Sequence, residues 1–380
     1  MSGGLLEMSS EAVVQGPQSA TPLPRVLGPV ALTSLGVGGI IGTGIFIMTG
    51  FAAHEKAGPA LTVSFVIAAL SCIACALCYA ELAAAIPLAG SAYTYATVTL
   101  GRAFGWIVGW NLLLQYGLAA ASVAQGWSHY FQNLLGIFGV RLPALLCSPP
   151  LDLDPATGKW MATGGVLDLP ALLMTLLITL LVIRGIRQSL AFNAGMVILK
   201  LGIILFVIVA GLFYVHTRNW TPFAPFGWSG VSLFGKPVLG RVGAGGEPVG
   251  MLAGAALVFY AFMGFDAITA YTPEARRPQR DVPLAIIASI SIATILYIAV
   301  TLVLTGMVPS EAIQVNAPLS AAFAQVGLPW AQFLIAFGAT AGISSVLLVI
   351  LLTYPRILLA IGRDGLISRA FFTAIHPRFQ

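Results

Sequence analysis

The chain has 380 residues, of which 58% are hydrophobic and only 8% charged, with a formal net charge of +5. Soluble domains carry about a quarter charged residues, so this composition excludes a soluble globular protein and describes a membrane protein. The basic residues are scattered between apolar stretches, which excludes a nucleic-acid-binding patch, and four cysteines supply no disulfide framework.

Residues 1–25 read as a loose cytoplasmic tail with prolines at 17, 22 and 24 and no cleavable signal pattern. Apolar stretches near the ~20 residues needed to cross a bilayer then recur at 26–51, 59–86, 103–135, 166–183, 193–215, 249–272, 282–308 and 331–361. These eight expected spans fit helices and not a barrel of short alternating strands. Together, 26–361 make one transmembrane domain, and 362–380 a cytoplasmic C-terminal segment.

The first span contains Gly36, Gly38, Gly39, Gly42 and Gly44. Each glycine in a helix interior costs roughly 1 kcal/mol relative to alanine, and close helix crossing needs only one small residue per turn. The density therefore predicts a broken helix, which a bilayer tolerates only where protein or a watery cavity satisfies the freed backbone. If the helix resumes near Gly42, the N–H groups of Gly42, Thr43 and Gly44 sit at a positive dipole end and suit a carboxylate. The carbonyls released around Gly38 to Ile41 suit an ammonium group.

In the second span, Cys72, Cys75 and Cys78 have no fourth ligand nearby and read as small residues at a helix contact. No metal or cofactor is expected, and His54, His129, His216 and His376 are too scattered to ligate one. Glu81, near the inner end of that span, suits a gate or helix-end partner. In the third span Gly101, Gly105 and Gly109 suit helix crossing, and Gln115 is a neutral hydrogen-bonding group. Lys200 lies well inside the fifth span, where snorkelling is strained. A desolvated lysine loses part of its preference for the charged form, so Lys200 is the candidate for proton coupling. The sixth span is interrupted at Met263-Gly264-Phe265-Asp266, and an intramembrane carboxylate such as Asp266 marks a functional site by default.

Two interrupted spans, five apart, predict an inverted-repeat transporter with its site where the breaks face each other. The segments 136–165 and 216–248, rich in Pro, Gly and Trp, read as outer loops with short turns. Arg25, Arg102, Arg184, Arg187, Arg276, Arg277, Arg280, Arg356, Arg363, Arg369 and Arg378 fall at one side. Lys56, Arg141, Lys159, Arg218, Lys236 and Arg241 fall at the other, mostly in longer loops. That bias predicts both termini in the cytoplasm.

Several stretches resemble the amino acid–polyamine–organocation superfamily, and in particular its cationic amino acid transporter branch. Gly38-Gly39-Ile40-Ile41-Gly42-Thr43-Gly44-Ile45-Phe46 is similar to its first-helix motif, and Tyr79-Ala80-Glu81-Leu82 with Ile86-Pro87 to its second helix. Gly109-Trp110-Asn111 through Gly126-Trp127-Ser128, Arg184 to Lys200, Gly264 through Pro283, and Pro355-Arg356-Ile357 with Arg363-Asp364-Gly365-Leu366 continue the likeness. The resemblance implies secondary amino acid transport by alternating access across the plasma membrane, not catalysis. It implies a substrate carboxylate on the N–H groups of Gly42, Thr43 and Gly44. Its amino group would meet carbonyls of Ile40 or Ile41 and of the sixth helix near Tyr260 and Met263, beside Gly264, Phe265 and Asp266. Lys200 implies coupling to protons rather than sodium, and residues 342–345, with Ser344 and Ser345, imply a share in selectivity.

Gln115 stands where that branch commonly has glutamate, which leaves open whether the side chain carried is cationic or small and neutral. The family's repeat needs ten helices, so eight spans imply an incomplete second repeat and a fragment or truncated product of a longer protein. An exchanger, a uniporter or a non-transporting sensor are the alternatives, and nothing in the sequence addresses oligomeric state.

Overall fold

The computed structural model describes residues 25–88, 90–153, 160–233, 236–243 and 246–373. The tail expected over 1–25 (all but Arg25), Lys159, His376 and Arg378 lie outside the described residues. The helices that organise the rest are α1 (Pro29–Ile40), α2 (Leu61–Ala85), α3 (Ala92–Leu100), α4 (Arg102–Ile137) and α5 (Leu169–Ile183). They are followed by α6 (Ile186–Leu212), α7 (Met251–Val258), α8 (Pro278–Met307), α9 (Pro318–Gln325) and α10 (Pro329–Arg363).

Among the described residues six helical stretches are long and apolar enough to cross a membrane: Pro29–Ala85, Arg102–Ile137, Gln188–Leu212, Met251–Glu274, Pro278–Met307 and Pro329–Arg363. This differs from the eight expected spans in two places. Pro29–Ala85 is a single run of 57 residues, longer than one crossing of a hydrocarbon core of about 30 Å requires, and it is interrupted at Ile41 and turned at Gly58, where φ is 60°. It joins the first two expected spans because the residues between them coil as the π-turn Ala53–Ala57 and the 3₁₀ turn Gly58–Ala60, not as a loop.

The expected span 166–183 is helical over only 15 residues, Leu169–Ile183, about 22 Å. Its start is fixed by Asp168, whose Oδ1 accepts the N–H of Ala171 at 3.1 Å, with Pro170 in the first turn. Its end is fixed by Gly185 at φ 112°, a left-handed conformation that stops a helix.

Two of the long stretches are discontinuous. The first breaks after Ile40 and resumes as the π-helical turn Gly44–Met48. The second, Met251–Glu274, runs as α7 and the 3₁₀ turn Phe259–Phe262, breaks at Met263 and Gly264, and continues as the 3₁₀ segment Asp266–Glu274. Threonine hydroxyls tighten that last segment: Thr269 bonds the Asp266 carbonyl and Thr272 the Thr269 carbonyl, each at 2.6 Å. Pro273 removes a further donor.

α10 is the central helix, with 78% of its apolar window buried against 33% for the window in α6. Small residues let neighbours approach it. A methyl at Gly338 would lie 2.3 Å from Ile203 Cγ1, and one at Gly342 3.0 Å from Lys200 Cβ. In the loops, where the sequence suggests only turns, three antiparallel strand pairs form among the described residues: β1 (Leu151–Leu153) with β2 (Trp160–Ala162), β3 (Val231–Leu233) with β4 (Lys236–Leu239), and β5 (Arg241–Val242) with β6 (Pro248–Val249).

Lys200 apart, basic residues such as Arg102 and Lys56 lie where helices begin or end. Leu27 bridges to Ala275, and Arg102 Nη2 donates to the Asp364 carbonyl at 3.1 Å at one end. Lys56 pairs with Glu247 at 3.1 Å at the other.

Candidate functional site

The first break is a local consequence of its glycines and of what they touch. Ile41 takes an extended ψ of 104°, and its N–H still reaches the Val37 carbonyl at 3.0 Å. The Gly42 carbonyl then accepts the N–H groups of Ile45 and Phe46 at 3.1 and 3.0 Å, which restarts the helix. Among the described residues the N–H groups of Gly42, Thr43 and Gly44 find no backbone acceptor, as expected for the first turn of a helix. Gly44 is required by proximity: a methyl there would lie 2.7 Å from Ala261 Cβ and 2.9 Å from its Cα. The two broken helices are therefore in direct contact.

The carbonyls freed by the break are held by side chains from three neighbouring helices. Lys200 of α6, fully buried, donates from Nζ to the Gly38 carbonyl at 2.9 Å, the Ile41 carbonyl at 2.7 Å and Ser345 Oγ at 2.9 Å. An ammonium has three protons and three oxygens lie within 2.9 Å of Nζ, so the number of partners matches. Ser345 of α10 also reaches the Gly38 carbonyl, at 3.2 Å. Tyr297 of α8 donates toward the Ile40 carbonyl at 2.8 Å. One turn earlier, Asn193 of α6 donates to the Ser34 carbonyl at 3.1 Å.

The second break places Gly264 against the first. Gly264 has φ 112°, and a methyl on it would meet the carbonyl carbon and oxygen of Gly39 at 2.9 and 3.0 Å. Asp266, 6% exposed, folds back so that Oδ1 accepts the Gly264 N–H at 3.3 Å, while Oδ2 accepts the Tyr116 hydroxyl of α4 at 2.9 Å. Both of these donors are neutral.

Between the breaks lies a cavity with about 40 Å³ open to the centre of a water molecule, room for about three waters. Of the residues singled out in the sequence, its wall includes Ile40, Thr43, Gly44, Gln115, Tyr260, Met263, Gly264 and Asp266. Ile41 and Gly42 lie just behind the wall; Gly42 packs against Val346, with 2.2 Å between its would-be methyl and Val346 Cγ2. Phe265 packs edge-on against Tyr79, with ring centroids 5.6 Å apart. Ser344 accepts from Trp127 Nε1 at 3.0 Å and is not part of the wall. Glu81 is exposed on α2, away from the cavity.

The rest of the wall is Gly39 of the glycine cluster, Tyr116, Ala261 and Ala267, and an apolar set that was not legible as a site: Ala119 and Val123 of α4, and Val346, Val349 and Ile350 of α10. Their spacing from Gln115, four residues per step on α4, was the available signal. Nothing distinguished these apolar side chains from lipid-facing ones.

At the arginine-rich end, Arg356 of α10 donates from Nε and Nη2 to the one oxygen Glu274 Oε1 at 2.9 and 2.7 Å and lies 4.5 Å from the Tyr271 ring centroid. This ties the end of the second broken helix to α10. Beside it, Tyr93 of α3 donates to Asp364 Oδ2 at 2.5 Å. Burial, and then that carboxylate, hold the Tyr93 phenol above its usual range.

Two discontinuous helices meeting at a small cavity inside a polytopic helical bundle define a membrane transporter of small solutes. Residues 27–380 match the family model described as amino acid permease. The chain is 42% identical over 358 residues to the methylthioribose transporter of Bacillus subtilis (strain 168), covering 94% of this chain and 71% of that one. It is 40% identical over 359 residues to the branched-chain amino acid permease BcaP of the same organism, again covering 94% and 71%. It is 38% identical over 366 residues to human cationic amino acid transporter 4, covering 95% of this chain but 53% of that protein. The chain belongs to the amino acid permease family, a class of transporters and not of enzymes.

Proposed function

We propose that this protein carries an amino acid with a neutral, apolar side chain across the plasma membrane by alternating access, coupled to proton import. The observation that carries the proposal is the meeting of the two breaks at one cavity, with unpaired N–H groups on one rim and a carboxylate on the other. On this reading the substrate carboxylate docks on the N–H groups of Thr43 and Gly44, with Gly42 heading the same turn. Its ammonium meets carbonyls of Ile40 and of Tyr260 to Met263, and Asp266 supplies the compensating negative charge. Ile41, Gly264 and Phe265 hold the shape of the two breaks.

Alternating access rests on an inverted repeat. Pro29–Ala85 then counts as two crossings divided near Gly58, Leu169–Ile183 as a short one, and both ends of the transmembrane part face the cytoplasm. On this reading the helices around the cavity part to load and release the substrate. Lys200 is the proton carrier: losing its proton leaves one of its three acceptors without a donor and loosens α1 at the break.

The side-chain end of the cavity supports the substrate class. Ala119, Val123, Val346, Val349 and Ile350 surround it, with the Gln115 amide as its polar group on α4 beside Tyr116. The name of the branched-chain relative is in keeping with such a wall. Gln115→Glu is the test. A new carboxylate a few ångströms from a bound cationic side chain gains a few kcal/mol at an effective dielectric of about 20. The ratio of lysine to leucine affinity should rise by at least about tenfold. The measurement is a competition panel in proteoliposomes, with methylthioribose included because a relative bears that name. An unchanged ratio places the side chain elsewhere.

A further inference from the structure

The Tyr297 hydroxyl sits between the ends of both broken helices. It lies 2.8 Å from the carbonyl oxygen of Ile40, the last residue of α1, and 2.7 Å from that of Ala261, in the last turn before the second break. Tyr297 is fully buried, and its ring is fixed between Phe65 and Phe262, each with a centroid separation of 5.2 Å. A phenol carries a single proton, so it satisfies one of the two carbonyls at a time. The other oxygen faces it at hydrogen-bond distance with no proton between them. Ile40 and Ala261 both line the cavity, so the missing proton has an obvious source: an N–H donor bound there.

We propose that Tyr297 is a positioning residue that pins the two helix breaks together and leaves one carbonyl of the pair to be satisfied by the substrate's amine. The pin makes α1 and α7 move as one body at the cavity. Binding of a protonated amine completes the set, with two carbonyl acceptors served by two donors. The role assigned to the amine rests on the amino acid reading of the cavity; the pin itself does not.

The test uses spin labels at Val30 of α1, 81% exposed, and Phe259 beside α7, 41% exposed, in a background with the four native cysteines replaced. Tyr297→Phe keeps the ring contacts and removes the hydroxyl. In reconstituted protein without substrate, the interspin distance distribution by pulsed dipolar spectroscopy should broaden relative to wild type. An unchanged distribution overturns the pin, whatever the affinity does. 3-Fluorotyrosine at position 297 retains the hydroxyl and provides a second readout should the phenylalanine variant not fold. Its ¹⁹F resonance should move on saturation with L-leucine and stay put with N,N,N-trimethyl-leucine, which has no N–H to donate. A resonance that leucine does not move, in protein that binds leucine, overturns the amine's role. Protein that binds no amino acid, yet broadens in Tyr297→Phe, fails the transport reading and keeps the pin.

Discussion

Gly264→Ala is expected to remove substrate binding and to destabilise the protein by about 3 kcal/mol or more. At φ 112° an L-residue carries backbone strain of about 1–3 kcal/mol. The added methyl would then stand 2.9 and 3.0 Å from the carbonyl carbon and oxygen of Gly39. Those are backbone atoms, so no side-chain rotation relieves the contact and the end of α1 has to move. That movement separates the two surfaces that form the cavity and pulls the Ile40 carbonyl off Tyr297. Gly117→Ala is the matched control: it lies in α4 with nothing within 4 Å of the new methyl, so uptake should be unaffected. Thermal unfolding in detergent and uptake by proteoliposomes measure the two effects. Wild-type uptake by Gly264→Ala would show that the second break is not part of the site.

Lys200→Met is expected to abolish uptake driven by a pH gradient, by at least about tenfold, while leaving exchange of internal for external substrate measurable. The substitution removes donors from the buried carbonyls of Gly38 and Ile41, and an unsatisfied buried acceptor costs about 1–3 kcal/mol. It also removes a buried positive charge that no carboxylate contacts among the described residues, which returns part of that cost. The larger effect therefore falls on coupling and not on folding. Lys200→Arg separates charge from proton release, because a guanidinium stays protonated; it should resemble Met in losing the gradient response. Uptake by either variant that still follows an imposed pH gradient would move the proton site elsewhere.

Both breaks were legible in the sequence because each has a chemical cause written in it. The glycine density over 36–44 disfavours a continuous helix, and the structure breaks at Ile41. Gly264 beside Asp266 marks the second, where the backbone adopts a conformation open to glycine. The burial of Lys200 was legible because snorkelling is strained from its place in the span, and the freed carbonyls supply the acceptors that a buried ammonium demands.

Tyr116 and Tyr297 were not. A tyrosine in an apolar helix costs little to bury, and its partners are a carboxylate 150 residues away for the first and two backbone carbonyls for the second. No local pattern names those acceptors. The bounds of the helical runs were not legible for a similar reason. The turn over 53–60 and the late start set by Asp168 are decided by hydrogen bonds to backbone, which hydropathy does not register.

A clamp made from two helix breaks must hold both ends of the amino acid backbone. The most direct measurement is isothermal titration of the reconstituted protein with L-leucine, L-leucine methyl ester and N-acetyl-leucine. Each blocked end forfeits charge-assisted hydrogen bonds worth about 1.5–3 kcal/mol, so both derivatives should bind at least about tenfold more weakly than leucine. Equal affinity for leucine and its methyl ester would contradict the N–H groups of Thr43 and Gly44 as the carboxylate site.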